Sequence, residues 1–137
     1  MLVAYTVALD LVRSLRSVVV ELRKYSADAA DQVERAASSV VLNIAEGGRR
    51  SGRDPQRFFA IANGSAGEIL GALDLADAWG WKIECARARE LLDREQRLLR
   101  GLTRRTCANS VPTKSRAGTT GTSLPDCAAL NTDGELP

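Results

Sequence analysis

Residues Gln32–Glu68 read QVERAASSVVLNIAEGGRRSGRDPQRFFAIANGSAGE, and the fold follows from this stretch. At 100° per residue, Val33, Ala37, Val40, Ile44 and Gly47 form one narrow apolar face, with Ala36 and Val41 beside it. Arg35, Ser39, Leu42 and Glu46 fall on the opposite side. The pattern predicts a helix to about Glu46, which Gly47-Gly48 would end by taking the left-handed conformation. RRSGRDPQR then forms a turn, and Asp54-Pro55 marks a new helix start, with a capping carboxylate and proline at the first helical position.

The helix that follows is expected over about Pro55–Trp79, and it has two apolar faces. Phe58, Ile61, Ala62, Ser65, Ile69, Ala72, Leu73 and Ala76 cluster on one side. Ala60, Gly64, Gly67, Gly71 and Ala78 cluster on another. Each glycine inside a helix costs about 1 kcal/mol relative to alanine. Close approach by another helix, from the same bundle or another subunit, would offset that cost; the alternative is a break near Asn63-Gly64.

Outward from this pair, Ala4, Val7, Leu11, Val18, Leu22 and Tyr25 step by three and four, with Ser14 the one polar break. They predict a first helix over about Ala4–Tyr25, and Ser26 or Asp28 can cap the next. Trp79-Gly80-Trp81 turns the chain into a fourth helix over about Lys82–Arg104, with Ala88, Leu91, Leu92, Leu98, Leu99 and Leu102 as its core stripe. Four amphipathic helices on short connections imply an all-α, antiparallel up-down-up-down four-helix bundle over residues 1–105. Residues 106–137, rich in Ser, Thr, Gly and Pro, lack periodicity and are expected to form a disordered tail.

Composition narrows the chemistry. The chain of 137 residues has no histidine, which removes His-based acid–base catalysis and Glu-x-x-His metal pairs. Cys85, Cys107 and Cys127 lie far apart without CxxC spacing, as expected of a reduced cytoplasmic protein, and no phosphate-binding glycine loop occurs. No metal, cofactor, small-molecule substrate or membrane span is expected, and no catalytic residue is assigned. Glu46 and Glu68 are the carboxylates nearest the helix interfaces, and Arg35 is a partner for either.

The net charge is only +2, so clustering matters more than the total. Arg49, Arg50, Arg53 and Arg57 form a basic turn opposed only by Asp54. In an up-down bundle this turn shares one end with the last turns of helix 4, which bring Arg97 and Arg104. Such an end suits nucleic-acid phosphates, although no aromatic residue is interleaved for base stacking. A merely solvated surface and an acidic protein partner are the competing readings. A lone bundle needs neither a second apolar face on helix 3 nor Leu42 on the outside of helix 2. Arg35, Ser39, Leu42, Glu46, Gly64, Gly67 and Gly71 are therefore assigned to an interface between copies of the chain.

The run Gln32-x-x-Arg35-Ala36-Ala37-x-Ser39-Val40-x-x-Asn43-Ile44-Ala45-Glu46-Gly47, then Arg50-Ser51, Phe58, and Ile61-Ala62-x-Gly64-Ser65-x-x-Glu68, resembles the bacterial S23, or 23S rRNA intervening-sequence, family of small four-helix-bundle proteins. The resemblance implies a cytosolic homo-oligomer, a pentamer by analogy, and no catalytic activity. It raises RNA association, since similar bundles serve as basic accessory subunits of diversity-generating retroelements. A protein-partner scaffold with no nucleic-acid role is the alternative. Two departures stand out: Val41 replaces the proline common in the family, so helix 2 should lack a kink, and the N-terminus is short, lacking the family's aromatic-containing lead-in before helix 1.

Overall fold

The computed structural model describes residues 2–108, with side chains through Arg104; the expected tail lies outside the described residues apart from 106–108. Four helices follow one another: α1 (Val3–Tyr25), α2 (Ala27–Arg49), α3 (Asp54–Ala78) and α4 (Ala86–Ala108). Each packs on its chain neighbour, and α1 closes the ring against α4. Cross-helix contacts fix the directions. Ser39 meets Ser65 and Gly47 meets Phe59, so α2 and α3 run antiparallel. Gln56 reaches Thr103 while Arg89 reaches Asp74 and Asp77, so α3 and α4 do too.

Local chemistry accounts for the boundaries. Ser26, in extended conformation, caps α2 by accepting from the Ala29 amide at 3.2 Å, so one residue suffices to reverse the chain after α1. The reversal is braced from outside, where Arg23 of α1 forks to Asp31 and Glu34 of α2. These pairs are solvent-exposed and contribute little stability. With Val41 in place of proline, α2 runs unbroken for 23 residues.

Gly47-Gly48 does not end α2, contrary to the sequence expectation; the helix continues to Arg49, and neither glycine has positive φ. Gly47 is instead a contact residue, because a Cβ there would sit 2.8 Å from Cε1 of buried Phe59. The turn's left-handed residue is Gly52, φ 77°. Asp54 makes no side-chain cap bond either, and α3 begins with Asp54 and Pro55 inside its first turn. α3 then passes through Asn63-Gly64 without a break.

The core is made by all four helices. Leu11, Leu22, Ile44, Ile69, Leu73, Leu92 and Leu99 are its largest fully buried apolar side chains. On α3 the expected core face is rotated: Phe59 is buried and Phe58 only half-buried, while Ile61 is exposed. The wheel placed Phe58 and Ile61 inward because it could not see that Phe59 follows Gly47 into the α2 contact. α4 starts at Ala86 rather than Lys82. Trp81 stacks on Tyr25 with ring centroids 5.5 Å apart, Gly80 turns with φ 77°, and the Glu84 carboxylate accepts from the Ala86 amide. These contacts hold residues 81–85 out of the helix. α4 also buries Glu95 completely, in line with Leu92 and Leu99, a carboxylate that the apolar stripe passes over.

Candidate nucleic-acid interface

The end of the bundle that carries the arginines is assembled from three helix termini. α2 delivers Arg49 and Arg50, the turn delivers Arg53, the first turn of α3 delivers Arg57, and the last turns of α4 deliver Arg100 and Arg104. The α3 and α4 components are tied together where Gln56 Nε2 donates to the Thr103 carbonyl at 3.0 Å.

The arginines are not equivalent. Glu46 accepts from Arg49 at 2.9 Å and from Arg50 at 2.7 Å, so one carboxylate partly neutralises two guanidiniums. Those hydrogen bonds, Arg50's first and then Arg49's, hold the Glu46 carboxyl below its usual range. Arg50 also lies 3.7 Å from Asp54 and 5.4 Å from the centre of the Phe58 ring, which fixes it over the α2–α3 turn. Arg97 is paired with Asp93 one turn away at 2.9 Å. Arg53, Arg57, Arg100 and Arg104 are exposed and have no carboxylate partner among the described residues. Arg53 and Arg57 line a groove of about 530 Å³ together with Gln56, Ala60, Asn63 and Thr103. The Oδ1 of Asn63 is buried there without a hydrogen-bond partner. Phe58 is covered by Arg50 and Phe59 is buried, so neither presents a face for base stacking.

The residues assigned to an interface between copies divide as well. Arg35, Gly64 and Gly71 are exposed, and Leu42 has 68% of its surface in solvent. Ser39 is half-buried, its hydroxyl 2.8 Å from that of Ser65, with Asn43 donating to it at 3.1 Å. Glu46 is spent on Arg49 and Arg50, and a Cβ at Gly67 would lie 3.9 Å from the side-chain amide nitrogen of Gln96 on α4. Neither Glu46 nor Glu68 pairs with Arg35 among the described residues; Arg49 and Arg50 lie within a turn of Glu46 and reach it first. Sequence reasoning missed Ile61 and Leu75, which are exposed on the same side of α3 as Gly64 and Gly71.

No group of histidine, cysteine or carboxylate side chains that could hold a metal ion occurs among the described residues, and no described helix is long and apolar enough to cross a membrane. A family model described as 23S rRNA-intervening sequence protein matches residues 1–104. The chain belongs to that family. The matched span takes in α1–α3 and all of α4 through Arg104, so both the arginine end and the α2–α3 outer face are family territory. No curated protein and no solved structure matches this intervening-sequence family member.

Proposed function

We propose that the protein is a non-catalytic, self-associating bundle that contacts RNA phosphates through its arginine end, with Arg53 and Arg57 as the primary contacts. The observation that carries this reading is the pairing pattern: Glu46 occupies Arg49 and Arg50, whereas Arg53 and Arg57 flank a groove with no carboxylate against them. Arg100 and Arg104 extend the same charge across the end of α4. Membership of a family named for 23S rRNA supports an RNA rather than a DNA ligand. The absence of an offered aromatic face among the arginines argues for backbone contact with little sequence preference.

The test is retention of single-stranded RNA as a function of salt. Each phosphate neutralised contributes about 0.7 to the slope of log affinity against log salt. Replacing Arg53 and Arg57 by glutamine should therefore lower the slope by about 1.4 and weaken binding of unrelated RNAs alike. Unchanged retention in that variant refutes the site.

A protein-scaffold reading draws on a different observation, the exposed Leu42, Ile61 and Leu75 on the outer side of α2 and α3. Self-association accommodates them: Gly64 and Gly71 each have open space where a Cβ would be, so their flatness serves nothing within one protomer. A ring of copies, a pentamer by analogy with the resemblance, would pack a neighbour on this face. Capture of a different protein by this face, in material free of RNA, would favour the scaffold instead.

A further inference from the structure

Glu95 stands apart from both surfaces. Its side chain is fully buried between Leu92 and Leu99 on the inner face of α4, and neither carboxylate oxygen has a hydrogen-bond partner. It is the only charged residue type buried among the described side chains. The charged groups of the surrounding elements all reach solvent: Asp10 and Arg13 in the middle of α1 pair with each other outside, Glu34 and Arg35 of α2 are exposed, and so is Glu68 of α3. On α4 itself Arg94 is exposed and Gln96 half-buried, turned toward Gly67 of α3. No countercharge therefore enters the core, and burial pushes the Glu95 carboxyl up to about 8, slightly opposed by Arg94.

The element that holds this group is also the one most easily released. α4 buries four apolar side chains among the described residues, Ala88, Leu91, Leu92 and Leu99, against eight from α1. It is fastened to α3 unevenly. Near its start Arg89 forks to Asp74 at 2.7 Å and Asp77 at 2.6 Å; near its other end stands the Gln56–Thr103 bond. Glu95 lies between the two.

We propose that α4 is a proton-gated arm: the closed bundle holds Glu95 as the neutral acid, and ionisation of Glu95 releases the C-terminal half of α4 from α1 and α3, pivoting on the Arg89 clasp. The physical basis is that a buried, unpaired carboxylate is far costlier than the neutral acid, whereas an open arm lets water solvate the charge. The sign follows from linkage. The closed state binds the proton more tightly than the open one, so raising the pH favours opening from the ordinary carboxylate range up to about 8, and further alkali adds nothing. In that window the opening equilibrium rises by up to about tenfold per pH unit. Release carries Arg100 and Arg104 away from Arg53 and Arg57, so the gate sets how much of the arginine end is assembled at a given pH. The gate itself does not depend on RNA being the ligand.

Hydrogen exchange of the full chain, corrected for the intrinsic pH dependence of amide exchange, tests this together with the NMR titration of the Glu95 carboxyl carbon. The expected result is that amides of residues 94–104 open more readily than the core of α2 at every pH, and that their opening rises between pH 5 and 8 and then levels. In Glu95→Gln the rise should vanish; Glu95→Met serves if the amide variant does not fold, and the carboxyl titration of the unaltered chain decides if neither does. A rise that persists in the variant overturns the proposal. So does an equal opening constant for α4 and α2 at pH 8, because opening is then global, and so does a Glu95 carboxyl that titrates in the ordinary carboxylate range.

Discussion

Replacing both Gly64 and Gly71 by alanine separates the stability of one protomer from the cohesion of an assembly. A Cβ built at either position has nothing within 4 Å, so the methyl groups project from α3 into open space. Within a single protomer the only consequence is better helix propensity, worth about 1 kcal/mol at each site. The pair should then gain about 2 kcal/mol, which corresponds to a rise of about 10 °C in Tm for a domain of this size. Between protomers the sign reverses. A methyl group forced into a close-packed contact costs about 1–3 kcal/mol, and about 1.4 kcal/mol is a tenfold change in association. Self-association should weaken by about tenfold to a hundredfold per contact while the isolated protomer grows more stable. Sedimentation velocity over a concentration series gives the first quantity, and thermal unfolding at concentrations where the variant is monomeric gives the second. A variant with unchanged assembly and a raised Tm refutes the interface. A variant that is less stable even as a monomer refutes the open space on which the reasoning depends.

Other expectations are local. Gly47→Ala should destabilise the fold in urea by up to about 2 kcal/mol, the cost of overpacking against Phe59 exceeding the gain in helix propensity, and Phe59→Leu in the same chain should recover much of it. Ser26→Ala removes the amide cap of α2 and should cost about 1 kcal/mol in the same assay. Glu46→Gln frees Arg49 and Arg50 from their shared carboxylate, so RNA retention should strengthen and its salt slope steepen. Urea unfolding of Glu95→Gln should match the parent near pH 5 and exceed it at pH 8. About 1.4 kcal/mol accrues for each pH unit between the unfolded value of 4.5 and the folded value of about 8, up to about 5 kcal/mol over the interval and less where opening of α4 already solvates the charge.

Four helices, their order and most of their core were legible because amphipathic periodicity is set by burial, and burial is what the bundle requires. Val33, Ala37, Val40 and Ile44 lie inside as their spacing says. Elsewhere the local signals were genuine but overruled by contacts distant in sequence. Gly47-Gly48 looks like a helix stop, yet Gly47 is small for the sake of Phe59 twelve residues on. The α4 start at Lys82 is displaced by Trp81, which leaves the helical path to stack on Tyr25. Glu95 escaped notice because a single glutamate inside a leucine stripe looks like a surface residue one position out of register. Only its depth distinguishes it from Glu90 or Arg94. For the arginine end, sequence assembled the cluster and could not rank it; which guanidiniums are already paired depends on Glu46 lying within reach of Arg49 and Arg50 on the same turn.

The ring closure has a practical side. Leu2 lies over Gly48, where its Cδ1 would come within 3.1 Å of a methyl group at that glycine, and Thr103 is held by Gln56. The described chain thus enters and leaves at the arginine end, and residues 109–137, with two basic and three acidic side chains, set out from there. A purification handle fused ahead of Leu2 hangs beside the charges whose affinity is to be measured. Placed instead in the Trp79–Cys85 connection, where Gly80 turns at the far end of the bundle, the same handle would leave that surface clear.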